Sequence, residues 1–362
     1  MDILNGEELR VCTNCVMDES DPEITFNEVG ECNHCRNWKA VAPRLMRNKA
    51  ELLPIIEKIK KSRRGYNCVL GLSGGVDSSY TAYLAYKHGL KAYLVHLDNG
   101  WDTDEAKHNI ERIREVTGWK GLNVYVDSEE YRDIQLAYLK AGVINLEAIT
   151  DHAISALVYK IAYSGGFRFV LSGQNWATEG ILPKSWGHAS RDLANIRDIH
   201  RKYGSISMRE FNRMGLLERL FMEYVRFKIV KPLNYVDYNR AEAMKTLVDE
   251  WGLVDYGGKH GENRFTRFFQ GYILPVRWGI DKRRAHLSTL ICSGQMTRNE
   301  ALEILRDPPA NDPSDWALFS KKIGIHIDKI IKTPKRSHLD FKNDERIIDN
   351  LRQIRGFLRR RR

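Results

Sequence analysis

Between residues 67 and 171 the chain alternates short apolar runs with longer stretches of helical period, and no other feature narrows its fold as far. The runs at 67–72, 91–97, 122–126 and 167–171 read as strands. Residues 78–88, 104–116 and 153–163 read as helices, the first and last closing at Gly89 and Gly165. Such alternation predicts an α/β fold, a doubly wound parallel sheet with helices on both faces. Ligands of these sheets sit beyond the carboxyl ends of the strands, where the topology switches. A helix is expected over 42–62 despite Pro54. From residue 231 the helical period takes over, with 240–251 and 298–305 as helix candidates and the proline-rich 307–313 as a loop.

The first strand runs into Ser73-Gly74-Gly75-Val76-Asp77-Ser78-Ser79 and then a helix. Glycines let backbone approach an anion closely, and the amides at a helix start supply positive dipole. Ser73, Ser78 and Ser79 add hydroxyl donors. The lysine of a terminal-phosphate loop is absent, and an aspartate stands in the turn. A carboxylate beside phosphate is favourable only with a cation between them, so Asp77 is a candidate Mg²⁺ ligand.

Four of the six cysteines form two pairs, Cys12 with Cys15 and Cys32 with Cys35. Two CxxC turns at this separation read as a four-thiolate zinc site, structural because no open coordination position is implied. His34 lies inside a turn and reads as a bystander; Cys68 and Cys292 read as isolated buried cysteines.

The SGGVDSS stretch resembles the loop of the PP-loop ATP pyrophosphatases, which include NAD, GMP and asparagine synthetases. The resemblance implies an adenine-nucleotide alpha-hydrolase type of sheet that holds the β,γ-pyrophosphate of ATP as a leaving group. A substrate oxygen attacks the α-phosphate, and a nucleophile then displaces AMP. It also implies ATP contacts from Ser73, Gly74, Gly75, Asp77, Ser78 and Ser79. The segment after the fourth strand, Ser172-Gly173-Gln174-Asn175-Trp176-Ala177-Thr178-Glu179, resembles the family's glycine-plus-acid segment. By that resemblance Gly173 contacts nucleotide, Glu179 is the second Mg²⁺ ligand and Lys184 lies near the phosphates. Asn99, Gly100 and Trp101 fall where the family places adenosine.

The whole arrangement is similar to the N-acetyl sugar amidotransferases of bacterial surface-polysaccharide (lipopolysaccharide and O-antigen) biosynthesis. It rests on the cysteine turns, the loop, and the segments Tyr256-Gly257-Gly258-Lys259-His260-Gly261-Glu262-Asn263 and Asp281-Lys282-Arg283-Arg284-Ala285-His286. The similarity implies adenylation of an acetamido oxygen and attack by ammonia, leaving an acetamidino group. Lys228 and Lys231 are candidates to stabilise charge at the α-phosphate. Lys259, His260, Glu262, Arg267, Arg283, Arg284 and His286 are candidates to hold an anionic, nucleotide-linked sugar. No glutaminase motif is visible, so ammonia is expected from a separate glutaminase subunit, with or without a cyclase-like partner.

The expected organisation is a zinc knuckle module (1–40), a linking helix (41–64), an ATP-binding domain (65–230), a helical substrate or partner domain (231–350) and a basic tail (351–362). The net charge is +10, but six arginines of the tail supply most of the excess, so nucleic acid is not the expected partner. No apolar run approaches the twenty residues of a membrane span, and the acidic start resembles no signal peptide, so a cytoplasmic address is expected. Two other readings fit the same loop: a tRNA-modifying enzyme that thiolates or aminates an adenylated base, and a non-catalytic nucleotide-binding scaffold.

Overall fold

The computed structural model describes residues 3–4, 7–126, 128–258, 261–309, 312–344, 347 and 350. A two-residue pair, β1 (Ile3–Leu4) and β2 (Glu7–Glu8), opens the chain. The main sheet holds β3 (Cys68–Gly71), β4 (Ala92–Asp98), β5 (Gly121–Tyr125), β6 (Phe169–Leu171) and β7 (Lys228–Val230). Its order is β5-β4-β3-β6-β7, and every pairing is parallel. The chain winds outward from β3 to β5, then returns to lay β6 on the other side of β3. The switch therefore falls between the carboxyl ends of β3 and β6, where a ligand crevice is expected.

Strand pleating explains how the sheet is covered on both faces. Val69, Val95, Leu97 and Val170 enter one core with α5 (Glu129–Ala141) and α6 (Ala148–Ser164). Their neighbours Cys68, Leu70, Leu94 and Leu171 enter the other, with α2 (Lys49–Ser62), α3 (Val76–Lys87) and α10 (Arg240–Trp251). Side chains alternate at every residue of a strand, so near-continuous apolar runs serve two cores at once. Each fully buried Val or Leu contributes roughly 1.5–3 kcal/mol.

The expected helices inside the sheet region form with small shifts of their ends. The helix expected over 42–62 is two: α1 (Asn33–Leu45) starts inside the second cysteine turn, and α2 follows it. Asn48 makes the break, its side chain accepting from the Glu51 amide as a new N-cap. Helix α5 and strand β7 escaped the sequence reading. The face of α5 buries Glu130 and Asp133, which masks its period. Glu130 accepts from the amides of Arg209, Glu210 and Phe211 at 2.8–3.0 Å, and Asp133 from those of Ser205 and Ile206. Two buried carboxylates thus pin an irregular stretch that has no ladder of its own.

Short elements α7 (Trp176–Glu179), α8 (Leu193–Tyr203) and α9 (Leu216–Phe221) follow β6. After α10 come α11 (Arg264–Phe268), α12 (Arg283–Cys292), α13 (Arg298–Arg306), α14 (Pro313–Ile323) and α15 (Ile327–Lys332). Phe265, Phe268 and Phe319 join the core that also takes Val69 and Val95, so the helical region packs onto the sheet through α5 and α6. Among the described residues no helix is long and apolar enough to cross a membrane.

Candidate nucleotide site and cysteine centre

The loop after β3 is built to stay open beside backbone. Gly74 has φ of +76°, and a Cβ there would stand 2.4 Å from the Ala106 carbonyl oxygen. Only glycine combines that dihedral with that approach. Ser78 Oγ accepts from the Ser73 amide at 3.2 Å, and Ser73 Oγ accepts from the Gly75 amide at 3.2 Å, so the loop is tied upon itself. Ser79 is fully buried on α3. Asp77 Oδ1 accepts a hydrogen bond from the Tyr238 hydroxyl. Burial first, then the Asp77 charge, pushes the Tyr238 phenol far above its usual range, so it stays a donor and orients the carboxylate.

Two further segments close on this loop. The first follows β6: a Cβ on Gly173 would meet the Ser78 amide nitrogen at 2.8 Å and the Asp77 carbonyl carbon at 2.9 Å. The two strand ends at the switch point are therefore in close backbone contact. The second comprises residues 254–258 and 261–264. Tyr256 Oη accepts from the Val76 amide at 2.8 Å, at the N-terminus of α3. Asn109 of α4 (Asp104–Thr117) bridges both partners, donating to the carbonyls of Gly74 (3.3 Å) and Val254 (3.0 Å). The Glu262 carboxylate lies against Gly75, where an added Cβ would stand 2.8 Å from Oε1. Sequence reasoning named neither Tyr238 nor Asn109, and Tyr256 only within a resembling segment, because each reaches the loop from at least 30 residues away.

Beyond β4, Asp102 pairs with Asn263, the Thr103 amide donates to the Glu262 carbonyl (3.0 Å) and the Arg264 amide to that of Trp101 (2.8 Å). His96 contacts the Leu72 carbonyl through Nδ1 (2.8 Å) and Asp102 through Nε2 (2.9 Å). Burial opposes the charged ring, but Asp102 outweighs it and the pKa is raised. His96, Asp98 and Asp102 bring three ligand atoms within 4.8 Å. Through its two ring nitrogens His96 links the end of β3 to the turn after β4.

The other expected site residues divide. Asn99 is buried and Gly100 takes φ of +76°, both at the end of β4. Trp101 does not line a pocket: it is 1% exposed and packs on Phe265 and Phe319. Glu179 ends α7, where the neighbouring Thr178 carbonyl is 3.2 Å from His286 Nδ1, so His286 reaches the same corner. Lys184 is exposed, and Lys231 follows the carboxyl end of β7. Lys228 opens β7 at the opposite end of the sheet and is exposed, which removes it from the loop. Arg267 grips Asp315 with two nitrogens (2.7 and 3.0 Å) beside Arg264, tying α11 to α14. Arg283 is spent on Asp281 and the carbonyls of Ile304 and Asp307. Arg284 is buried against Asp18 (2.9 Å) and the Val16 carbonyl. These three arginines hold helices and knuckle together. Lys259 and His260 lie outside the described residues. A groove of about 570 Å³ along α3, lined by Arg47, Tyr80, Tyr83, Lys87 and Tyr235 among others, takes in none of the expected site residues.

The cysteine centre forms as the spacing predicts. Cys12, Cys15, Cys32 and Cys35 are fully buried with their sulfurs within 4.8 Å of one another. Two of the edges are 3.7 and 4.0 Å. A tetrahedron of thiolates at the usual zinc–sulfur length has edges of about 3.8 Å, so the donor set fits a tetrahedral dication. Backbone amides of Asn14, Cys32, Cys35 and Met17 point at the sulfurs, as thiolates require. Arg298 donates to the carbonyls of Cys12 and Cys15, joining α13 to the first turn. His34 instead pairs with Asp21 at 2.6 Å. Cys292 is not isolated: its sulfur is 3.7 Å from that of Cys35. Cys68 is a buried strand cysteine whose thiol burial pushes up to about 12.

Parts of the chain are similar to known proteins. Residues 262–355 match the family model described as LPS biosynthesis protein WbpG-like, C-terminal domain. Residues 65–160 match that of thiamine biosynthesis protein (ThiI). An uncharacterised protein of Methanocaldococcus jannaschii is 24% identical over 213 residues, 58% of this chain and 72% of that protein. The glutamine-hydrolysing GMP synthase of Baumannia cicadellinicola subsp. Homalodisca coagulata is 29% identical over 184 residues, 48% of this chain and 32% of the synthase. An NH3-dependent NAD synthetase from Campylobacter jejuni aligns over 83% of this chain and 98% of its own, at 14% identity and a TM-score of 0.33.

Proposed function

We propose that this chain, a PP-loop ATP pyrophosphatase by its WbpG-like and ThiI-like matches, converts an N-acetyl group of a nucleotide-linked sugar to an acetamidino group. Enzymes of this class are ATP-dependent and of ligase or amidotransferase type. In the proposed reaction the acetamido oxygen attacks the α-phosphorus and pyrophosphate departs. Ammonia then adds to the activated carbon, loses a proton, and AMP leaves with the oxygen.

One observation carries this reading: the start of the WbpG-like C-terminal match, at Glu262, lies directly against Gly75 of the phosphate loop. The C-terminal region is thus a wall of the nucleotide site, where an acceptor must meet the α-phosphate. The backbone cradle at Gly74 and Gly173, which a Cβ would fill, fits a polyphosphate. Ser73, Ser78 and the loop amides would bind the departing pyrophosphate, Gly173 keeps the second strand end close, and Asn99 and Gly100 would flank the adenosine. Asp77, oriented by Tyr238, and Glu179 would hold Mg²⁺; when bound, the ion neutralises phosphate charge. Lys184 and Lys231 would answer charge growing at the α-phosphate, and His286 would meet the acceptor. Positioning and electrostatic stabilisation suffice for such chemistry.

The cysteine centre would hold a structural zinc ion. Neither remaining cysteine suits glutamine hydrolysis: Cys68 is buried on β3, and Cys292 leans on Cys35. A separate glutaminase subunit supplying ammonia completes the proposal, in line with the glutamine-hydrolysing GMP synthase among the relatives.

The test supplies ATP, Mg²⁺, ammonium and a panel of nucleotide-linked N-acetyl sugars. Expected are AMP, pyrophosphate and a sugar product lighter by about one mass unit, as oxygen is replaced by an imino nitrogen. Pyrophosphate release driven by tRNA, with no change in any sugar, would move the assignment to base modification. No pyrophosphate with either acceptor would leave a nucleotide-binding scaffold.

A further inference from the structure

Glu262 is expected from the sequence to meet the sugar, and its carboxylate lies beside the phosphate loop. It faces the phosphate loop, with Oε1 2.8 Å from where a Gly75 Cβ would be. Backbone hydrogen bonds hold its main chain there. The Glu262 carbonyl accepts from the Thr103 amide, its neighbour Asn263 pairs with Asp102, and the Arg264 amide donates to Trp101. The carboxylate therefore rides on the segment that closes the β4 end of the crevice. Gly75 gives it room, and Asp77 stands two residues further on. A carboxylate held beside bound phosphate repels it unless a divalent cation lies between. Mg²⁺ in nucleotide sites is held by carboxylates together with phosphate oxygens and water.

We infer that Glu262 is a cation ligand of the nucleotide site, holding the divalent ion against the phosphate loop together with Asp77. The inference rests on the nucleotide reading above and deepens it. It gives the C-terminal region a direct part in ATP binding: with residues 261–264 docked, the ion gains a ligand, and the phosphates are held where the acceptor arrives.

The experiment uses the full chain, a non-hydrolysable ATP analogue and Mn²⁺ as a paramagnetic probe. Free Mn²⁺ is measured by electron paramagnetic resonance with and without the analogue. In the wild type the analogue should tighten Mn²⁺ binding. Glu262→Gln should weaken that ternary binding at least about tenfold, the scale of losing a supporting group at a metal site. Glu262→Asp should recover part of it. Gly75→Ala, which displaces the carboxylate without removing it, should reproduce the loss. Binding of the analogue without metal should stay unchanged or tighten in Glu262→Gln, which a misfolded variant would not show. Equal or tighter Mn²⁺–analogue binding by Glu262→Gln overturns the inference, because the carboxylate would then only fill an empty anion pocket. A wild type that binds no analogue with or without metal overturns the nucleotide reading, a different pattern from failure of Glu262 alone.

Discussion

Replacing Gly173 by alanine tests whether the two strand ends at the switch point act as one site. The added methyl would stand 2.8 Å from the Ser78 nitrogen and 2.9 Å from the Asp77 carbonyl carbon. Ordinary van der Waals contact begins at 3.4 Å, so the loops must part by roughly 0.6 Å. Both atoms are backbone of the phosphate loop and the first turn of α3, so no flexible side chain can give way. Overpacking of this kind costs about 1–3 kcal/mol, a fall in melting temperature of several degrees. The functional effect should be larger than the stability effect. A misplacement of about 1 Å can cost roughly a hundredfold in rate, so the shift here should lower pyrophosphate release about tenfold or more. Gly187→Ala is the control, since its nearest neighbour would be 3.9 Å away. Differential scanning fluorimetry and a coupled pyrophosphate assay read the two effects. If Gly173→Ala matches Gly187→Ala in both, the loops are not in the contact described and the reasoning fails.

Three more predictions follow from other parts of the molecule. Cys15→Ser should lose zinc by elemental analysis and lower the melting temperature, because structural zinc is part of the folding energy; full zinc content in the variant would refute the four-thiolate site. Asp315→Ala should destabilise by about 2–4 kcal/mol, toward the low end for a buried pair, because Arg264 and Arg267 keep 30% and 29% side-chain exposure; a melting temperature unchanged from wild type would show that this cluster is dispensable. For Glu130 and Asp133 burial opposes ionisation, but backbone amides outweigh it and both pKa values are lowered. Their stabilisation is present above the usual values of 4.5 and 3.8 and is lost as pH falls through the lower folded values. Acid unfolding of Glu130→Gln should therefore be shallower than wild type below pH 4.5, and an identical pH profile would contradict the role given to Glu130.

Much of this protein was legible because its information is local. The strand–glycine–helix order fixes a parallel sheet, since the apolar runs of its inner strands must bury both faces. The SGGVDSS loop needs only its own dihedrals and serines to make an anion cradle. Two CxxC turns gather four sulfurs because each turn already holds two. Tertiary structure decided what depends on long loops meeting. Arg267, Arg283 and Arg284 look in sequence like hands for an anion, yet each found a carboxylate or carbonyl within the chain. A guanidinium takes whatever planar acceptor the fold brings near, and sequence spacing does not say which. Glu130 and Asp133 hid α5 because their amide partners lie over 70 residues away. Tyr256 and Glu262 reach the phosphate loop across 180 residues or more. The loop's chemistry was thus written in seven consecutive residues, while the wall facing it was set only when the C-terminal region docked through backbone and side-chain contacts between residues far apart in sequence.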